Sequence, residues 1–173
     1  MSIRLKFVCR KNIPFSVYGL TPVSLNGIVS GMEAIWIIGG GQFGRLGAVR
    51  LAAKRKNCQL TVVDDDPVQL DQLDGVDCIR VKADGAVFLA DRLGCGGDPD
   101  WIVPAVPVHL AWEWCRLKLG PDRLIPLELP ETIESILPNP MRSAGSDIYV
   151  SFADFLCPDN CPEPADRCFV TGK

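Results

Sequence analysis

The sequence predicts an α/β domain built on a doubly wound parallel sheet, and three observations predict it. Short, wholly apolar runs alternate with helical patterns between residues 33 and 128. The first run, Ala34-Ile35-Trp36-Ile37-Ile38, passes directly into Gly39-Gly40-Gly41, as a strand covered on both faces does when it turns sharply into a helix. The second, Leu60-Thr61-Val62-Val63, is rich in β-branched residues and closes on Asp64. Strands that alternate with helices pair in parallel through crossover connections.

The first run is the first central strand. From residue 43 to 56, Leu46, Ala48, Val49, Ala52 and Ala53 alternate with Arg45, Arg50, Lys54 and Arg55, the pattern of a helix laid on a sheet. Its cationic end suits the helix dipole. After the second strand, Asp66-Pro67 supplies an N-cap followed by proline at the first helical position, for a short helix to residue 73. Residues 78–81 form the third strand, 86–93 a helix, and Trp101-Ile102-Val103 the fourth strand. Residues 108–119 place Val108, Ala111, Trp112, Cys115 and Leu119 on one helical stripe, and Leu124-Ile125 opens a fifth strand.

Beyond Pro126 the character changes. Five prolines from Pro126 to Pro158, a weak strand at Ile148-Tyr149-Val150 and a terminal cysteine cluster mark an irregular appendage over residues 129–173. Residues 1–31 lack regular periodicity. They read either as a mis-assigned start, with Met32 the natural initiator, or as a loosely docked arm.

Composition bounds the function. With 18 basic against 21 acidic residues the net charge is −3, and no dense basic run follows residue 60 to neutralise a phosphate backbone. Nucleic acid is therefore excluded as an expected partner. Every apolar run is broken before the ~18 residues a membrane span needs, so no direct membrane insertion is expected. Arg4, Lys6, Arg10 and Lys11 surround only short apolar pieces, unlike a secretory signal, which points to a cytoplasmic protein.

Gly39-x-Gly41-x-x-Gly44 lies after an apolar strand and at the opening of a helix. This is a Rossmann-type dinucleotide turn: the first glycine makes the turn, the second admits a pyrophosphate and the third lets helix meet strand. Gln42 and Phe43 fill its two variable positions. Asp64 stands 20 residues after Gly44, where a carboxylate accepts both ribose hydroxyls of an adenosine. Asp65 and Asp66 beside it would repel a 2′-phosphate, which favours NAD(H) over the phosphorylated cofactor. Asp84, after the third strand, reads either as an adenine neighbour or as a turn former.

The run Ile37-Ile38-Gly39-Gly40-Gly41-Gln42-Phe43-Gly44, with Val62-Val63-Asp64-Asp65-Asp66-Pro67 and Ala83-Asp84-Gly85, resembles the NAD-binding domain of Trk-type potassium-uptake regulators. The resemblance implies a dimeric domain that binds NAD or NADH at the glycine turn and Asp64, and acts on a membrane transporter as partner. The family's usual Gly-Asp-Ala is here Ala83-Asp84-Gly85. The segment from Gly39 to Leu46 is also similar to the opening of ATP-dependent aminoimidazole ribonucleotide carboxylases, and the triple glycine is similar to siroheme-synthase-type dehydrogenases. None of these resemblances covers the C-terminal third.

Pro104-Ala105-Val106-Pro107-Val108-His109 follows the fourth strand, at the edge where such sheets hold ligands. His109 is the only histidine, and reads as a proton-transfer group beside a nicotinamide or as an exposed residue of the helix's first turn. Trp112 and Trp114 read as packing residues, and Glu113 as solvated.

Three of the eight cysteines gather as Cys157, Cys161 and Cys168. Thiolates at this spacing on a proline-stiffened loop can converge on Zn or an Fe–S cluster, with Cys95, Cys9, His109 or Asp159 as a fourth ligand. A redox-active dithiol and plain reduced cysteines are the alternatives, stable disulfides being disfavoured in a reducing compartment. Cys58, Cys78 and Cys115 read as small buried hydrophobes. The functional expectation is an NAD(H)-binding regulatory or redox-sensing module that forms a homodimer. The alternatives are a small NAD-dependent oxidoreductase with a cysteine-ligated metal, and a degenerate interaction domain that binds nothing at its glycine turn.

Overall fold

The computed structural model describes residues 31–142, 147–152, 166–168 and 172. The chain divides into two compact units, Met1–Ile125 and Pro126–Lys173.

The first unit is α/β. Its elements run β1 (Glu33–Ile38), α1 (Gln42–Lys54), β2 (Cys58–Asp64), α2 (Pro67–Asp71), β3 (Ile79–Lys82), α3 (Gly85–Arg92), β4 (Trp101–Pro104) and α4 (Leu110–Leu119). The four strands form one parallel sheet in the order β3-β2-β1-β4. The chain thus builds outward from β1 through β2 to β3, then returns to place β4 on the other side of β1.

The apolar runs are continuous rather than alternating because helices cover both faces. On one face Ile35, Ile37, Leu60 and Val62 meet Ala48 of α1 and Leu70 of α2. On the other, Trp36, Ile38, Val63 and Val81 meet Phe88 and Leu89 of α3 and Leu110 of α4. Trp36 and Phe88 make an edge-to-face ring pair with centroids 4.9 Å apart, worth about 1 kcal/mol beyond the area it buries. Cys58 and Cys78 are half-buried against the first of these cores. Burial is the leading reason both thiols titrate above the ordinary range, which leaves them protonated and unreactive at neutral pH.

The amino end of the sheet is closed by side chains. Glu33 accepts from Arg55 and, at 2.7 Å, from the indole N–H of Trp101. Asp100 Oδ2 accepts the Ala34 N–H at 2.8 Å while the Asp100 N–H donates to the Ala34 carbonyl at the same distance.

The expected fifth strand at Leu124-Ile125 is absent: α4 ends at Leu119 with Gly120 as its C-cap, a turn follows, and residues 124–130 form no ladder. Pro121, Pro126 and Pro130 punctuate the segment, and Ile125 and Leu127 are 70% and 80% exposed, so these apolar residues find no neighbouring strand to cover them. The second unit holds a 3-10 helix (Glu131–Ile136) and a short antiparallel pair, β5 (Met141–Arg142) with β6 (Ile148–Tyr149). Arg142 bridges the two, its guanidinium meeting Glu134 at 2.6 Å. Of the terminal cysteines, Cys157 and Cys161 lie outside the described residues, and Cys168 is half-buried. Among the described residues no helix is long and apolar enough to cross a membrane.

Candidate functional site

The carboxyl ends of the strands carry the glycine turn. Gly39, the residue after β1, has φ of +106°, and a Cβ there would lie 2.5 Å from the Ala105 carbonyl oxygen after β4. Only glycine lets the two loops approach this closely. At Gly44, inside α1, a Cβ would fall 1.8 Å from the Gly39 carbonyl oxygen, so α1 packs on the turn only because that side chain is missing. Gly41 differs: nothing lies within 4 Å of where its Cβ would be. The space beside the middle glycine is open, on the approach to the α1 N-terminus. That terminus has no side-chain cap and no acidic residue in its first turn. Gln42 and Phe43 are exposed there, Phe43 at 66%.

Asp64, at the end of β2, is half-buried and fixes the loops around it. Its Oδ2 accepts the Gly40 N–H at 2.5 Å and its Oδ1 accepts the Asp66 N–H at 2.8 Å. One carboxylate therefore ties the glycine turn to the β2–α2 loop. Each carboxylate oxygen has two lone pairs, so this structural duty leaves Asp64 capacity to accept from a ligand. Asp66 caps α2 by accepting the Val68 N–H at 2.9 Å. Asp84 likewise caps α3, accepting the Val87 N–H at 2.9 Å, and its exposed side chain also borders the cleft. Asp84 is thus a helix cap at the border of the cleft.

Gly39, Asp64 and Asp84 border a cleft of about 490 Å³, whereas Gly41, Gln42, Phe43 and Gly44 do not line it. Gly39, Asp64, Asp65 and Asp84 form one side, and Val106, Pro107 and Val108 of the β4–α4 loop another. The other walls are the start of α3, through Ala86 and Val87, and α4, through Leu110, Glu113, Arg116 and Leu117. Position follows from topology: β1 and β4 leave the sheet in opposite lateral directions, and the crevice between their ends is where open α/β sheets hold ligands.

Glu113 belongs to this wall and is not simply solvated. It is half-buried, and Arg116 grips it with two guanidinium N–H groups on the same oxygen, Oε2, at 2.7 and 3.1 Å. An i,i+3 pair is visible in sequence, but the side of the helix that meets a cleft is set by how α3 and α4 pack. Trp114 packs against the α3-side core, and Trp112 is half-buried.

His109 is exposed and serves as the N-cap of α4, its Nδ1 accepting the Trp112 N–H at 3.2 Å. It does not line the cleft. The structure gives it the helix-start role.

Cys95 is disulfide-bonded. This departs from the expectation of reduced thiols and withdraws Cys95 as a thiolate ligand for a metal. Among the described residues no group of three His, Cys, Asp or Glu side chains is placed to hold a metal ion.

A family model described as an uncharacterized protein, C-terminal domain, matches residues 111–173. The matched stretch begins inside α4, so it takes in Glu113 and Arg116 of the cleft together with the whole second unit. No match is found among curated proteins.

Proposed function

We propose that the first unit is a Rossmann-like domain that binds NAD(H) at the carboxyl edge of its sheet, as a regulatory or redox-sensing module. The observation that carries this is the contrast within the glycine turn. Gly39 and Gly44 are walled in by backbone, while Gly41 faces open space beside an uncapped helix N-terminus. A pyrophosphate fits such a place because the helix start presents amide donors and positive potential to an anion. Asp64, tied to the turn through the Gly40 N–H, borders the neighbouring cleft where a ribose would lie, and Asp65 and Asp84 add negative charge around it, which disfavours a 2′-phosphate. At the cleft Asp64 holds the loops and Asp84 a helix terminus, an arrangement suited to binding. NAD(H), when bound, would supply the redox-sensitive nicotinamide.

The test is calorimetric titration of the anaerobically purified full chain with NADH, NADPH and ATP. The reading expects NADH to bind, NADPH to bind more weakly, and Gly41→Ala to lose NADH while keeping its fold. Binding of ATP without NADH would overturn the cofactor assignment and favour the carboxylase-like resemblance. Absence of any nucleotide binding would leave the interaction-domain reading.

A further inference from the structure

The cleft's α4 wall carries a charged pair that the glycine-turn argument does not use. Arg116 donates two of its N–H groups to one oxygen of Glu113, Oε2, and among the described residues no hydrogen bond engages Oε1. The pair therefore holds the carboxylate in one orientation with a second acceptor oxygen to spare. Its surroundings are apolar on the same wall, through Leu110 and Leu117, and on the α3 side, through Ala86 and Val87. A mostly apolar wall with a fixed acceptor at its side matches a nucleobase that has an exocyclic amino donor. Asp64, which would hold the ribose, and Asp84 lie across the same cleft.

We infer that Glu113 is a specificity-determining residue that accepts a hydrogen bond from the 6-amino group of adenine, with Arg116 as the residue that positions it. This deepens the nucleotide reading above and rests on it. The 6-oxo group of hypoxanthine, an acceptor, would face a carboxylate in place of a donor, and the mismatch costs affinity because neither oxygen is then satisfied.

The experiment compares NADH with its deamino analogue, in which hypoxanthine replaces adenine, on the full-length chain and on Glu113→Ala. Alanine is the best helix former, and the site is half-exposed, so the variant keeps α4. The wild-type chain is expected to prefer NADH by about tenfold or more. Glu113→Ala is expected to bring the ratio close to one by weakening NADH and leaving the deamino analogue nearly unchanged. Equal binding of the two by the wild-type chain, or a preference that survives in Glu113→Ala, overturns the role of Glu113 while the nucleotide site stands. Failure of the wild-type chain to bind either dinucleotide overturns both readings together.

Discussion

The two ends of the sheet follow opposite rules. At the amino end acidic side chains find side-chain or strand partners: Glu33 meets Arg55 and Trp101, and Asp100 holds the start of β1. At the carboxyl end three aspartates, Asp64, Asp66 and Asp84, all accept from loop or helix-start amides. They pin the loops and cap α2 and α3. The helix with the glycine turn, α1, is the one at that edge left without a side-chain cap. The difference teaches that acids close one end, whereas at the other they frame a helix terminus whose complement, on the proposed reading, is a ligand anion.

The comparison breaks most sharply at Gly44. Replacing it with alanine drives a Cβ onto the Gly39 carbonyl at 1.8 Å, a backbone clash that no side-chain rotation relieves. The expected loss is about 3 kcal/mol or more, read as a large fall in the urea midpoint at unchanged slope. Gly41→Ala is the control that sharpens it. Its Cβ enters open space and its φ of −59° suits any residue, so the stability change stays below about 1 kcal/mol. NADH binding should nevertheless be lost. Two variants of the same motif would then separate fold from function, and a Gly41→Ala protein that still binds NADH would refute the pyrophosphate cradle.

Asp64→Ala falls between them. It leaves the Gly40 and Asp66 amides without their acceptor, at a cost of about 2 kcal/mol, and also removes the proposed ribose partner. Stability and NADH affinity should both drop, which is why Asp64 alone cannot separate the two roles and Gly41 can.

These signals were legible because they are local. Strand β1 shows as an apolar run, the turn as glycine spacing, and the α2 cap as Asp66-Pro67, each fixed by residues within a few positions. What escaped the sequence depends on distant partners. Glu113 looked solvated, since the i,i+3 pair with Arg116 says nothing about which neighbour the helix faces. His109 became a cap although histidine is not among the preferred capping residues. Leu124-Ile125 resembled a strand because apolar pairs do, and only the absence of a covering neighbour decides against it. In the second unit, two-residue strands such as β5 carry no periodicity to read.

Asp84 supplies a smaller contrast at the carboxyl end. Asp84→Ala removes the α3 cap, which costs about 1 kcal/mol. Because the site borders the cleft, NADH affinity should fall as well. Asp66→Ala removes the α2 cap, whose side chain does not line the cleft, and should cost a similar amount while leaving NADH affinity near wild type. Equal losses of affinity in the two variants would show that loop disorder, rather than the cleft, is being measured.

The smallest effect belongs to the amino end. Arg55 is the main reason the Glu33 carboxyl titrates below its ordinary value, with the Trp101 indole helping against the opposing desolvation. A carboxyl whose pKa is lower in the folded than in the unfolded chain stabilises the fold above the unfolded value. That contribution is lost as pH falls through the lowered folded value. Glu33→Gln should therefore lower the urea midpoint slightly at pH 7 and hardly at all near pH 3, and added salt should shrink the difference, because the pair is exposed. NADH affinity should not change, since Glu33 sits at the opposite end of β1 from the glycine turn. A change in NADH affinity in this variant would mean that the two ends communicate through the strand, and the division of labour between them would fail.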